Sequence, residues 1–305
     1  MDSTPDTHGA LEPRAVDYLS TLIGALGIST APILVTLSQA HPTPVAVWRF
    51  VYALPLLVPL CLLRGRSRNA FRQRGWIAIA GLSGLFFAAD LALWHHSIGL
   101  IGAGPATLLA NTGIIWITLT GLFFLGERPS RVFWVFLPMT LAGMFLLAGG
   151  GLDGIAQAAD RRGLLLGVGA GVAYGGMLIF LRLAQRRVAI PPESALLVQI
   201  TLALAALSLV GLAEHSLPVS LAAEQHVWLA LLGIGVQALS WLLISRGIRR
   251  LPGHHGGMVL LTQPVCSLVW GWWLLGQALD TGRLAGAALI LIGVAVPLLR
   301  EARSR

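Results

Sequence analysis

Ten apolar stretches, each about long enough to cross a lipid bilayer, follow one another along this chain and leave only short connections between them. A helix needs roughly 20 apolar residues to span a hydrocarbon core about 30 Å thick. The stretches fall at 18–39, 44–63, 76–97, 103–125, 132–149, 163–181, 194–213, 227–245, 256–276 and 284–299, and Arg49 and Asp90 are the only formally charged residues inside them. In lipid each helix satisfies its own backbone polar groups, so this pattern predicts an all-α integral membrane protein of ten transmembrane helices. The connections leave no room for a sizeable soluble domain, which argues against a receptor or scaffold.

Only 11% of the 305 residues are charged, against about 25% in a soluble protein. The net charge of +8 does not form a nucleic-acid patch, because the basic residues punctuate the gaps between spans. All 21 basic residues are Arg, a usage that fits a GC-rich bacterial genome. With the N-terminus placed in the cytoplasm, 17 of the 21 fall on the inner side, and only Arg161, Arg162 and Arg283 fall outside. The positive-inside rule then puts both termini in the cytoplasm, with the protein in the bacterial inner (plasma) membrane. The first 17 residues are polar and mildly acidic and lack the features of a signal peptide, so the first span is expected to serve as an uncleaved anchor.

The second half echoes the first at a constant offset of 150 residues: Pro42 matches Pro192, Thr112 matches Thr262, and Gly121 matches Gly271. Leu125-Gly126 likewise matches Leu275-Gly276, and Leu141 and Gly143 match Leu291 and Gly293. Five spans per half is an odd number, so the halves would enter the membrane with opposite orientation, an architecture of secondary transporters. The expected organisation is a cytoplasmic tail at 1–17, a first five-helix repeat at 18–149 and an external linker at 150–162. A second repeat at 163–299 and a cytoplasmic tail at 300–305 follow. Internal duplication means that a monomer can be complete. Rows of small residues, Gly167, Gly171 and Gly175 or Ala80, Gly84 and Ala88, suit close helix approach.

Trp48-Arg49-Phe50 opens the second span, Leu125-Gly126-Glu127-Arg128 closes the fourth, and Leu141-Ala142-Gly143 lies in the fifth. In order, spacing and duplication these motifs resemble the drug/metabolite transporter superfamily, in its ten-helix EamA-type branch. The second half departs from the pattern: Gln277 stands in place of the second Gly-Glu acid, and Gln199 stands opposite Arg49. The Trp-rich, His-bearing spans are similar in character to the YddG-type exporters of aromatic and other amino acids. That resemblance implies an exporter of small amphipathic metabolites, aromatic and other neutral amino acids first among them.

Arg49 sits about 8 Å and Asp90 about 10 Å below the same face, counting 1.5 Å per residue. Unpaired charge in hydrocarbon costs several kcal/mol, so both are expected to face the bundle interior. They could form a permanent ion pair, or Asp90 could load a proton or an amino group while Arg49 holds a carboxylate. Near mid-depth lie Asn111, Thr112, Trp116, Tyr174, Met177, Gln237, Ser240, Trp241 and Gln263, with Trp94 nearer the outer end. Aromatic walls with a few hydrogen-bonding groups are typical of small-molecule pockets. Glu127 at the inner surface could form a solvated bridge with Arg128 or Arg131, or latch an inner gate. His95 or His96 could face the cavity and sense protons. Adjacent histidines point about 100° apart on a helix, so neither His95-His96 nor His254-His255 is expected to converge on a metal. No metal or other cofactor is expected, and the absence of a nucleotide-binding loop leaves ATP drive unsupported.

Two other functions compete. Efflux of cationic drugs would suit the superfamily, but 18–39 lacks the acid that its compact multidrug members carry there. An intramembrane enzyme would need a nucleophile and base, a carboxylate pair or a metal cluster, and the spans offer one Asp and one local His pair.

Overall fold

A computed structural model describes residues 14–73, 75–101, 103–148, 160–186, 190–217 and 220–303, and among these every regular element is a helix. Among the described residues, nine helices are long and apolar enough to cross a membrane: α1 (Ala15–Ser38), α2 (Pro42–Leu63), α3 (Gly75–Ile101), α4 (Pro105–Phe124), α6 (Arg161–Gln185), α7 (Pro192–Ala213), α8 (Ala223–Ile248), α9 (Gly253–Leu275) and α10 (Thr281–Glu301). Between them, α5 (Arg131–Leu147) is apolar but only 17 residues long. Ser130 fixes its start by accepting a hydrogen bond from the Phe133 amide at 3.2 Å. The tail 1–17 and the linker 150–162 lie largely outside the described residues.

Side-chain contacts sort the helix termini into two ends. Arg64 pairs with Glu193 at 3.2 Å, Arg250 approaches Asp17 at 3.9 Å, and Arg182 pairs with Glu127. These join the starts of α1 and α7 to the finishes of α2, α4, α6 and α8 at one Arg-rich end. At the other end, Thr43 donates to Glu214 at 2.8 Å and Ser97 donates to the Gly163 carbonyl at 2.8 Å. In between, α3 packs on α6 and α7, α8 packs on α1 and α2, and α5 packs on α10.

Three spans are interrupted, and the same local chemistry marks each break. At 29–30 in α1, Ser29 and Thr30 donate to carbonyls three residues back at 2.6 and 2.7 Å. Thr112 in α4 and Thr262 in α9 do the same, at 2.6 and 2.7 Å. Such hydroxyls compete with the helical ladder, and Pro32 and Pro264 remove amide donors nearby. The α1 break is stabilised from outside: Ser267 of α9 donates to the Ser29 carbonyl at 2.8 Å, and Trp270 Nε1 to Ser29 Oγ at 2.9 Å. Freed backbone groups at membrane depth need such partners. In α8, Leu232–Ser240 winds as a π-helix, and Ser240 donates to the Gly235 carbonyl five residues back at 2.9 Å.

The duplicated motif has a structural meaning. Both α4 and α9 stop on a left-handed glycine, Gly126 at φ +66° and Gly276 at φ +64°. The next amide then reaches back six residues, Glu127 to Gly121 O at 2.9 Å and Gln277 to Gly271 O at 3.1 Å, which satisfies a carbonyl of the last turn at both helix ends. Gly143 and Gly293 serve the α5–α10 seam. A Cβ at Gly143 would lie 2.7 Å from Gly286 O, and one at Gly293 would lie 2.0 Å from Thr140 Oγ1.

Candidate functional site

A cavity of about 480 Å³ opens away from the Arg-rich end, and its walls come from both halves of the chain. That size is in the range of small-molecule sites. Each of the three breaks lines it, through Ser29 and Ala31, through Ala110 and Asn111, and through Gln263 and Pro264. The half-helices beginning at Ala31, Gly113 and Gln263 therefore direct N-terminal amides toward mid-depth, where they favour negative charge.

Of the residues singled out from sequence, Arg49, Asp90, Trp94, Asn111, Tyr174, Trp241 and Gln263 line this cavity. Among the described ion pairs within 4.0 Å, none joins Arg49 to Asp90, so the permanent pair is not formed here. Arg49 Nε has no hydrogen-bond partner. The two ionisable side chains thus share a cavity without a direct ion pair between them. Trp94 is held by a 3.2 Å bond from Nε1 to Thr107 Oγ1, and Asn111 Nδ2 donates to Thr107 O at 2.8 Å. Phe87 bridges Phe50 and Trp241, with ring centroids 5.3 and 5.4 Å away.

Four expectations are redirected. The break in α4 resets its phase, so Trp116 turns outward and is 38% exposed on the apolar surface. Gln237 lies in the π-helical stretch, fully buried, with both amide atoms lacking a partner and outside the cavity lining. His96 faces outward and meets Glu214 at 3.3 Å, while His95 packs beside Trp94 at 5.3 Å; neither lines the cavity. Thr36, Ser267, Gln277 and Arg283 do line it and were not anticipated.

The Arg-rich end is closed below the cavity. Arg182, 1% exposed, pairs with Glu127 and donates to Leu251 O at 2.5 Å, and Gly253 N–H donates to Glu127 Oε2 at 2.7 Å. Glu127 thus takes a cationic partner from α6, where the sequence points to neighbouring Arg128 or Arg131. Close by, Tyr18 OH meets His255 Nδ1 at 2.6 Å, His255 Nε2 contacts Glu301, and His254 Nε2 lies 3.6 Å from the same oxygen. The expectation that adjacent histidines cannot converge is corrected here. A carboxylate from a third helix sits between the two rings, which are 69° apart. These three residues could hold a divalent ion, although His255 and Glu301 already satisfy each other.

The EamA-like transporter family matches twice, over residues 17–149 and 161–299. The chain belongs to that family. Similar proteins include the uncharacterized transporter sll1319 of Synechocystis, 26% identical over 289 residues that cover 89% of this chain and 84% of that one. Another is an uncharacterized transporter of Archaeoglobus fulgidus, 23% identical over 90% of this chain and 93% of its own. A solved crystal structure superposes with a TM-score of 0.78 at 22% identity, covering 95% of this EamA-like transporter and all of that chain, a likeness of fold. The family and these relatives point to a transporter rather than an enzyme.

Proposed function

We propose that this EamA-like transporter is a secondary exporter of small amphipathic metabolites, aromatic and other neutral amino acids foremost, working by alternating access. In this reading the two five-helix halves are inverted repeats, the Arg-rich end and both termini are cytoplasmic, and the cavity faces outward. Exchanging each helix with the one five later maps the packing pairs onto themselves (α3–α6 onto α8–α1, α3–α7 onto α8–α2), which supports a two-fold relation between the halves.

The observation that carries the substrate class is that a basic and an acidic side chain, Arg49 and Asp90, line one aromatic-walled cavity without a direct ion pair. A zwitterion complements both. Its carboxylate meets Arg49 and the half-helix N-termini, its amino group meets Asp90, and its side chain rests on Trp94, Tyr174 and Trp241. Asp90 beside aromatic rings also suits the second reading, efflux of lipophilic cations, but Arg49 in the same cavity repels them. Flux in proteoliposomes against an amino-acid panel, with and without a pH gradient, tests the assignment. Aromatic amino acids should move fastest; transport of organic cations with no amino-acid flux would replace this reading with the second.

A further inference from the structure

A second cavity, about 740 Å³, opens on the flank of the Arg-rich end between α1, α8, the start of α7 and the short helix Gly65–Ala70. Five guanidinium groups line it: Arg64, Arg66, Arg246, Arg249 and Arg250. Among the described residues, two carboxylates face them. Glu193 is engaged by Arg64 at 3.2 Å and by Ser67 at 2.9 Å, and Asp17 lies 3.9 Å from Arg250. Among the described residues, arginines thus outnumber carboxylates in the groove's lining. Burial, reinforced by the like charges of Arg250 and Arg66, lowers the Arg249 pKa, with Asp17 only partly offsetting it. Such crowding favours an added anion.

The other wall is apolar. Val16, Leu19 and Ile23 also line the groove, at 60, 55 and 47% exposure. Their spacing of three and four places them on one face of α1, in a stripe running from the basic rim toward the hydrocarbon. Charge at one end and an apolar track at the other match a molecule built the same way. We propose that this groove is a binding site for an anionic phospholipid, its phosphate held by the arginines and an acyl chain laid along α1. Basic pockets between transmembrane helices on the cytoplasmic side are suited to such headgroups. The site touches elements of both halves, so a bound lipid would hold α1, α7 and α8 together at the closed end.

The test uses the delipidated full-length protein in neutral detergent and reads binding by native mass spectrometry and thermal unfolding, independently of what is transported. The probes are phosphatidylglycerol, phosphatidylcholine and inorganic phosphate. Phosphatidylglycerol should be retained and raise the unfolding midpoint, while the other two should not. The triple variant Arg66→Gln/Arg246→Gln/Arg249→Gln should weaken phosphatidylglycerol binding about a hundredfold. Arg246→Gln alone should weaken it about fivefold, and Arg72→Gln, outside the groove, should leave it unchanged. Equal binding of phosphatidylcholine, or equal loss in Arg72→Gln, would overturn the site. Equal stabilisation by inorganic phosphate would make the occupant a soluble anion and overturn the lipid.

Discussion

Glu127 and Gln277 occupy the same place in a motif repeated 150 residues apart, yet they sit at opposite ends of the molecule in opposite circumstances. Glu127 is locked to buried Arg182 and to the Gly253 amide, and the chain around it is closed. Gln277 lines the mouth of the open cavity. The position 150 residues before Arg182 is Pro32, which lines that cavity too. The closed end thus carries an acid–base pair where its counterpart carries an amide and a proline. A buried pair with good geometry and extra hydrogen bonds repays its desolvation, whereas either ion alone does not. The difference teaches that two ends built on one backbone plan need not be equally stable when shut. Here the latch favours the conformation that is closed at the Arg-rich end.

Breaking that latch on one side should have the largest effect. Arg182→Gln leaves Glu127 buried without its cation and should cost roughly 3–5 kcal/mol, read as a lower unfolding midpoint in detergent. The cavity charges make the contrast. Asp90→Asn should leave stability nearly unchanged but slow transport about tenfold or more, as expected for loss of a charged hydrogen bond to substrate. Arg49→Gln should raise KM for amino acids with a smaller change in kcat, if its guanidinium binds the carboxylate in ground and transition states alike. Transplanting the latch sharpens the comparison further. Pro32→Arg with Gln277→Glu should shift the conformational balance by about 1–2 kcal/mol toward closure of the other end, visible as reduced labelling of a cysteine placed in the cavity. Trp116→Phe, outside the cavity, should change flux less than twofold.

Much of this was legible in the residues. The spans followed from apolar length, and helical depth alone put Arg49 and Asp90 at a common level; in the structure Phe87, Leu91 and Trp94 line the cavity alongside Asp90 on α3. Two of the misplacements share a source: helical phase is interrupted where the backbone departs from the regular α-helix. Trp116 follows the break at Thr112, and Gln237 lies inside the π-helical turn. The Ser29-Thr30 hydroxyls ahead of Pro32 were the readable sign that α1 bends into the cavity. The Glu301 carboxylate between His254 and His255 had no such sign, because it comes from a helix 46 residues further on. Likewise, Arg182 looked like one more inner-side charge until tertiary packing buried it against Glu127.

The account's central claim is that the cavity opens to one side while the Glu127–Arg182 latch seals the other. The most direct measurement is side-specific labelling of Leu268→Cys in a Cys61→Ala/Cys266→Ala background, with a membrane-impermeant thiol reagent applied to oriented vesicles. The account predicts reaction from the periplasmic side alone, and added reaction from the cytoplasmic side once Glu127→Gln and Arg182→Gln are combined. Cytoplasmic reaction in the parent, or none after the latch is removed, would contradict it.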